Sequence, residues 1–245
     1  MRHGDRANPA RTPGVVPGAT AGDVSRGPAH RYDHSEEPVL NVSPDPAAPI
    51  VVLASGTGTL LSALLDAGDG PDSPFRVVAV VTDRDCPAAA IAVRRDLPVH
   101  VLPIGTHASR VEWDVGMTAA VAGYRPRVVV TAGFMKILGS AFLDEFAGRI
   151  INSHPALLPA FPGAHAVADA LAHGVKVSGC TVHLVDAGVD TGPILAQAPV
   201  FVEPEDDEIT LHERIKAVER GLLATVVAAV IRTGVDIDGR KAHIR

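Results

Sequence analysis

Apolar runs and amphipathic stretches alternate along the chain from residue 49 onward. Residues 49–54 form a continuous apolar run, which is typical of a strand buried on both faces of a sheet. The next apolar positions have the spacing of a helix with one buried face: Leu60, Leu61, Leu64 and Leu65. The same alternation predicts strands at 77–81, 99–102, 127–131 and 149–152, and helices at 88–96, 110–122 and 140–146.

The pattern changes in the second half of the chain, where longer Val- and Thr-rich stretches occur. It predicts a helix at 164–173, strands at 175–185 and 194–202, a long helix at 209–232 and a small hairpin at 235–244. The whole pattern predicts an α/β fold. We expect a Rossmann-like, open, mostly parallel twisted sheet with helices on both faces and some antiparallel strands in the C-terminal half.

Composition excludes several classes of protein. The 245 residues are 47% hydrophobic and carry a formal net charge of −6, which disfavours a nucleic-acid binder that relies on a basic face. Two cysteines, Cys86 and Cys180, cannot form a disulfide framework or a four-thiolate zinc site. We find no apolar run long enough to span a bilayer and no apolar core of a signal peptide, so we expect a cytoplasmic protein without a membrane partner.

Residues 1–48 differ from the rest of the chain. They hold 7 of the 20 prolines and lack a periodic apolar pattern. Such a stretch cannot bury enough apolar surface to offset the entropy of ordering it. We therefore expect a disordered Pro/Gly-rich extension at 1–48 and a single folded domain at 49–245.

A glycine-rich loop, Ser55-Gly56-Thr57-Gly58-Thr59-Leu60, joins the first predicted strand to the first helix. In this setting backbone amides can approach an anion, and the N-terminus of the helix favours negative charge. A dinucleotide fingerprint is incomplete, because Leu61 stands where its third glycine belongs. The loop suits a single phosphate, and the alternative at this point is a plain strand-to-helix turn.

The segment Asn152-Ser153-His154-Pro155 follows the strand predicted to end at residue 152. Open α/β sheets bind ligands at this carboxyl edge. If the backbone is still extended there, Asn152 and His154 point to the same face. Asn152 offers an amide that can hold a carbonyl oxygen, and His154 offers a group that titrates near neutral pH. A turn in which both side chains bond the backbone remains the alternative.

If His154 is to act as a general acid, it needs a carboxylate partner. The Gly-rich stretch from Asp186 to Pro193 supplies two candidates. Either Asp190 or Asp186 near His154 would raise the pKa of the imidazole and hold its orientation. Taken alone, each aspartate is more often a turn former.

Four segments together resemble the phosphoribosylglycinamide formyltransferase family, which uses folate in purine synthesis. They are 51–58 (VVLASGTG), 132–138 (AGFMKIL), 152–163 (NSHPALLPAFPG) and 189–197 (VDTGPILAQ). The resemblance implies that the amine of 5'-phosphoribosylglycinamide attacks the formyl carbon of 10-formyltetrahydrofolate, and that tetrahydrofolate leaves. It also implies a catalytic trio in which His154 is the general acid, Asn152 stabilises the oxyanion and Asp190 raises the pKa of His154.

The resemblance also assigns the binding residues. The phosphate and ribose of the ribonucleotide are expected at Gly58, Thr59, Leu60, Lys216 and Glu219, although the family commonly has Asn where this chain has Leu60. The folate is expected at Arg110, Met135, Lys136, Ile137, Leu138, Asn152, Asp186, Ala187, Gly188, Val189 and Asp190. His165 and His183 also match positions near the site, but lone histidines are more often structural, so we rank both below His154.

The expected ligands are therefore small molecules, with 10-formyltetrahydrofolate as co-substrate and without a metal; a homodimer is compatible with the resemblance.

Methionyl-tRNA formyltransferase shares the trio but needs a further domain and a basic surface. Formyltetrahydrofolate deformylase, a hydrolase, is the main alternative, although residues 1–48 cannot form its N-terminal regulatory domain. A non-catalytic nucleotide-binding module would explain the glycine loop but not the trio.

Overall fold

The computed structural model of the chain describes residues 47–245. The strands are β1 (Ala48–Ala54), β2 (Phe75–Thr82), β3 (Val99–Val101), β4 (Val128–Thr131), β5 (Ile150–His154), β6 (Val177–Leu184), β7 (Ile194–Phe201), β8 (Val235–Asp238) and β9 (Lys241–Ile244). The helices are α1 (Thr59–Gly68), α2 (Pro87–Arg94), α3 (Arg110–Ala122), α4 (Ser140–Glu145), α5 (Ala166–Ala172) and α6 (Glu208–Thr233). A short 3₁₀ turn at Ile104–Thr106 precedes α3.

The described strands form one sheet in the order β3-β2-β1-β4-β5-β6-β7-β9-β8. Strands β1 to β5 pair in parallel with one another, whereas β6 is antiparallel to both β5 and β7. The terminal hairpin of β8 and β9 extends the sheet beyond β7. The predicted α/β architecture, with antiparallel strands in the C-terminal half, is confirmed.

Helices cover both faces of the sheet, which explains the unbroken apolar run in β1. Ile50 and Val52 pack on the face covered by α1 and α6, in the same cluster as Leu61 and Val227. The intervening Val51 and Leu53 pack on the opposite face with residues of α3 and α4, among them Trp113, Met117 and Phe142. Because both sets of β1 side chains are removed from water, no polar alternation is possible.

Strand β5 is longer than the sequence pattern predicts, and this places the candidate residues on the sheet itself. The predicted strand stops at residue 152, but Ser153 pairs with Val182 and His154 with Thr181 of β6. The antiparallel partner supplies ladder bonds for these residues that the local sequence does not reveal. Asn152 and His154 are thus held by regular strand geometry and not by a loop.

Helix α6 carries a buried apolar stripe that includes one carboxylate. Asp207 and Thr210 form a capping box at its N-terminus. Leu211, Ile215 and Leu223 are fully buried, and Glu219 lies in the same stripe with 4% of its surface exposed. A buried acid in an apolar stripe is costly unless it is hydrogen-bonded, so a hydrogen-bond partner is expected for Glu219.

Within residues 47–245, no helix combines the length and the hydropathy needed to cross a membrane. The extension predicted at 1–48 lies outside the described residues, apart from its last two positions. Its disorder stays a prediction.

Removing residues 1–46 is expected to change the melting temperature by no more than about 1 °C, because that stretch lacks the apolar content to contribute to a core. Thermal unfolding followed by circular dichroism, with the full chain measured alongside, checks this. A loss of roughly 5 °C or more on truncation would show that the extension packs against the domain.

Candidate active site

A cavity of about 620 Å³ opens at the carboxyl ends of β1, β4 and β5. This is the edge at which open α/β sheets bind ligands. Fifteen of the seventeen different residues predicted for the site line it: Gly58, Thr59, Leu60, Met135, Lys136, Ile137, Leu138, Asn152, His154, Asp186, Gly188, Val189, Asp190, Lys216 and Glu219. Arg110 and Ala187 are not among the lining residues.

A row of side chains from three adjacent strands lies at the centre of the cavity. Thr131 of β4 is in register with Asn152 of β5, and Asn152 is in register with His183 of β6. Residues opposite one another in a sheet point to the same face, so the three side chains contact each other. Thr131 Oγ1 donates to Asn152 Oδ1 at 2.6 Å, and Asn152 Nδ2 lies 3.0 Å from His183 Nε2.

These contacts determine the orientation of the Asn152 amide. Its oxygen accepts from a hydroxyl, so its NH₂ group faces His183 and Asp190, the latter at 3.4 Å from Nδ2 to Oδ1. His183 Nδ1 lies 2.8 Å from the carbonyl oxygen of Leu184. With the ring proton on Nδ1, His183 Nε2 accepts from Asn152, and the amide donor is held beside the reacting groups.

Asp190 is the carboxylate that pairs with His154. The distance from His154 Nδ1 to Asp190 Oδ2 is 3.3 Å, and the other ring nitrogen, Nε2, lies 2.8 Å from the carbonyl oxygen of Phe161. The backbone N–H of Gly163 donates to Asp190 Oδ2 at 2.7 Å. The segment between β5 and α5 therefore holds both members of the pair through its backbone, and both nitrogens of His154 face an acceptor.

Asp186, the other candidate for the histidine partner, shapes the loop instead. Its Oδ1 accepts from the N–H of Gly188 at 3.0 Å and from Thr191 Oγ1 at 2.6 Å. Asp190, which lies in the chain between Gly188 and Thr191, adopts a left-handed backbone with φ of 53°, which is uncommon for a residue other than glycine. The closed loop compensates for that conformation and directs the Asp190 carboxylate at His154.

The charge states of the pair follow from burial and contacts. Burial lowers the pKa of the His154 imidazole below its ordinary value; the Asp190 carboxylate and the Phe161 carbonyl oppose this, and His183 adds to it. The contribution of Asp190 has the expected sign, but the net direction is opposite to the predicted rise. For Asp190, burial acts to raise the pKa, but contacts with His183, Gly163 and His154 outweigh it and the pKa is lowered.

The opposite wall of the cavity is formed by α6. Ser153, which points away from Asn152 and His154 along β5, donates from Oγ to Glu219 Oε1 at 2.6 Å. Lys216 and Glu219, which the resemblance assigns to the ribonucleotide, both line the cavity. The ion pair of Lys216, however, is with Glu213 at 2.9 Å and not with Glu219. Burial raises the pKa of Glu219, although Ser153, Lys216 and Arg220 oppose the rise.

Replacing Glu219 by glutamine is expected to raise the melting temperature by a few degrees at pH 8. The folded state binds the proton of Glu219 more tightly than the unfolded state does, so the wild type loses stability as pH rises above the unfolded pKa. Glutamine stays neutral and still accepts from Ser153. Calorimetric melts of both proteins at pH 4 and pH 8 check this, with exposed Glu205→Gln as the control. A stabilisation that is equal at the two pH values would contradict the explanation.

The glycine loop forms the end of the cavity next to α1. Gly58 caps α1 with φ of 77°, and a Cβ at this position would lie 2.8 Å from Ile91 Cδ1. Leu60 is only 7% exposed and packs into the core with Leu64. Of Leu60, only the backbone N–H is therefore available to a ligand at this loop, and that group does not depend on the side chain that the family commonly has here.

Two apolar side chains are exposed on the segment after β4. Met135 and Ile137 are 63% and 65% exposed, and Val189 on the facing loop is 50% exposed. Exposed apolar groups that line one cavity indicate a surface for a flat apolar ligand. Lys136 follows Met135 in the chain, and its Nζ lies 3.7 Å from Asp83 Oδ2.

Among the residues from 47 to 245, no group of three or more His, Cys, Asp or Glu side chains could hold a metal ion.

Sequence reasoning missed several residues of this site. Thr131 was predicted only as the end of a strand, Ser153 only as a spacer, and His183 was ranked as structural. The signal for Thr131 was its place at the carboxyl edge, next to the strand that carries Asn152. No local signal could identify the backbone groups of Phe161 and Gly163, because they reach the site through the path of a loop.

Comparisons with known proteins agree with this architecture. The model of the formyl transferase family matches residues 48–227. A phosphoribosylglycinamide formyltransferase of Mycobacterium tuberculosis H37Rv is 61% identical over 207 residues, which cover 84% of this chain and 95% of the relative.

Two solved structures are similar to the chain. Glycinamide ribonucleotide transformylase 1 of Symbiobacterium toebii has a TM-score of 0.79 at 39% identity, over 81% of this chain and 94% of that one. A formyltetrahydrofolate deformylase of Pseudomonas syringae has a TM-score of 0.75 at 26% identity, over 81% of this chain and 66% of that one.

Proposed function

The chain belongs to the formyl transferase family, and we propose that it transfers the formyl group of 10-formyltetrahydrofolate to the amine of 5'-phosphoribosylglycinamide. The products are N-formylglycinamide ribonucleotide and tetrahydrofolate, and the reaction is a step of de novo purine biosynthesis. The observation that carries the proposal is the meeting of Asn152, His154 and Asp190 in one cavity. Identity of 61% with the mycobacterial relative supports the choice of acceptor.

The reaction exchanges one C–N bond for another. The amine nitrogen of the ribonucleotide forms a bond to the formyl carbon, and the carbonyl oxygen takes up negative charge in a tetrahedral intermediate. The bond from that carbon to N10 of the folate then breaks. The amine loses one proton and N10 gains one, so neither an oxidant nor a metal is required for the balance.

Asn152 and His154 are the proposed stabilisers of the oxyanion. A positioned donor of this kind is worth about 10²- to 10³-fold in turnover. Thr131 and His183 hold the Asn152 amide in one orientation. Burial lowers the pKa of His154, and the Asp190 carboxylate opposes this effect and so favours the charged imidazole beside the oxyanion. Because both ring nitrogens face protein acceptors, His154 acts as general acid through a hydrogen-bonded relay that includes Asp190.

The two substrates are assigned to opposite ends of the cavity. The phosphate and ribose bind at the glycine loop and α6, through Gly58, Thr59, the N–H of Leu60, Lys216 and Glu219. The folate binds between the segment 135–138 and the loop 186–190. Arg110 does not line the cavity and donates instead to the carbonyl oxygen of Ile137. We therefore propose that Arg110 supports segment 135–138, the folate wall, from outside the cavity.

Formyltetrahydrofolate deformylase remains the second candidate, because a deformylase has a similar fold. The enzyme would then use water as the acceptor. The ribonucleotide end of the cavity argues against this, since water does not require a phosphate loop or a buried carboxylate at the position of Glu219. The cytoplasmic location and the homodimer stay predictions.

A formyl-transfer assay tests the proposal. The full chain is given 10-formyltetrahydrofolate with 5'-phosphoribosylglycinamide, with water alone, or with initiator tRNA. We expect formylated ribonucleotide, identified by mass spectrometry, and release of tetrahydrofolate that depends on the amine. Release of formate at the same rate without the amine would instead establish the hydrolase.

A further inference from the structure

Asp114 on α3 is a buried carboxylate outside the set of cavity residues. Its surface is 4% exposed. Oδ1 accepts from the backbone N–H of Gly139 at 2.8 Å, and Oδ2 accepts from that of Phe142 at 3.3 Å. The first N–H groups of a helix have no partner within it, and Gly139, at the N-cap of α4, has no side chain to supply one. Asp114 therefore caps α4 from a different helix.

The segment that ends at this cap is the wall proposed to bind folate. Met135 and Ile137 project their apolar side chains into the cavity, and α4 begins three residues after Ile137. At its start the wall is held by the N–H of Met135, which donates to Ser55 Oγ at 2.9 Å. The cap by Asp114 holds its other end, so the backbone of the wall is attached at both ends to buried groups.

Helix α3 braces the same wall at two further points. Arg110 donates to the carbonyl oxygen of Ile137 and lies 4.7 Å above the ring of Trp113. The Trp113 ring in turn stacks on Phe134 with 6.5 Å between centroids. The first turn of α3 thus contacts the wall at several points, and Asp114 is the buried carboxyl group among these contacts.

We infer that Asp114 is a positioning residue that holds the folate wall in its binding geometry through the cap on α4. The inference rests on the proposed function, because it takes the folate to lie against this wall. Removing the carboxylate leaves two buried N–H groups without acceptors, and the first turn of α4 must move to satisfy them. The wall then loses its attachment at the end next to α4, while the end at Met135 stays bonded to Ser55. The ribonucleotide subsite is on the glycine loop and α6, which Asp114 does not contact, so its affinity stays unchanged.

Two kinds of variant disturb this cap from opposite sides. Asp114→Ala removes both acceptors, whereas Asp114→Asn keeps one oxygen and is expected to restore part of the effect. Gly139→Ala acts from α4, because a Cβ there would lie 2.5 Å from Asp114 Oδ2. The backbone of Gly139, with φ of −88°, suits any residue, so its effect arises from the contact with Asp114. The double variant Asp114→Ala/Gly139→Ala should therefore cost less than the sum of the single changes.

The test measures each substrate separately. Steady-state kinetics give KM for both substrates, and calorimetry gives the Kd of tetrahydrofolate. In Asp114→Ala and Gly139→Ala we expect the folate KM and the tetrahydrofolate Kd to rise roughly tenfold, with the ribonucleotide KM within about twofold of wild type. Asp144→Asn, an exposed carboxylate on α4, is the matched control and should change neither value.

An equal rise in both KM values, or an unchanged tetrahydrofolate Kd, would show that Asp114 stabilises α4 without a specific effect on folate binding. Either result would overturn the inference. If Asp114→Ala does not fold, Asp114→Asn and Gly139→Ala decide the question. If the wild type transfers no formyl group to the ribonucleotide, the proposed function fails. The Kd of tetrahydrofolate still tests the wall in that case, so the two failures are distinguishable.

Discussion

Replacing His154 by alanine is expected to lower kcat by about 10²- to 10⁴-fold, the range for loss of a positioned acid. The imidazole lies between Asp190 and the Phe161 carbonyl, and in its protonated form it can stabilise the negative charge on the formyl oxygen and supply a proton for the leaving nitrogen. Alanine supplies neither a charge nor a proton. The measurement is kcat at saturating concentrations of both substrates.

The control for this variant is His243→Ala, which changes an exposed histidine on β9 that does not line the cavity. It should retain the turnover of the wild type. Circular dichroism spectra and melting temperatures of both variants separate a catalytic loss from misfolding. A turnover of His154→Ala within about threefold of wild type would remove the acid from the mechanism.

The second large effect is expected for Asp190→Asn, which should lower kcat on the order of 10²-fold and displace the pH profile. The Asp190 carboxylate raises the pKa of His154 against the lowering effect of burial. Without that charge the pKa of His154 falls further. In the proposed mechanism the charged imidazole is the active form, so activity is lost with rising pH, and in the variant this loss begins at lower pH.

A profile of kcat between pH 5 and pH 9 checks the displacement, with Asp238→Asn on the exposed terminal hairpin as the control. The same profile for wild type and Asp190→Asn would contradict the role of Asp190, even if the rate fell. A reduced rate with an unshifted profile would mean that Asp190 only holds the loop through the N–H of Gly163.

Much of the fold follows from local patterns. The unbroken apolar run of β1 predicts a strand covered on both faces, and clusters on each face of the sheet confirm it. The β5 boundary was predicted two residues short, because the bonds that extend the strand come from β6, whose pairing is not visible in the local sequence. Periodicity reports which face of an element is buried, and it does not report which strand lies alongside.

In the candidate site, too, some features follow from the local sequence and others depend on the packing of distant elements. Asn152 and His154 could be recognised from residue type, spacing and their place after a strand. Residue type and spacing do not distinguish Asp186 from Asp190, because both occur in one short turn-rich stretch. The resemblance implies Asp190, and in the structure Asp190 contacts His154 while Asp186 bonds Gly188 and Thr191. Ser153 and Glu219 are 66 residues apart in the chain, and their contact follows from how α6 packs on the sheet.

The amino-acid pattern alone was sufficient for the class of fold, and the residue types that follow β1 and end β5 were sufficient to mark the glycine loop and the pair Asn152 and His154 as candidates. These depend on residue types and on spacings within one or two elements. The packing of distant elements decided the net direction of the His154 pKa and the contact between Ser153 and Glu219. Burial and charge at a given atom are sums over all neighbours in space, and most of those neighbours are remote in the chain.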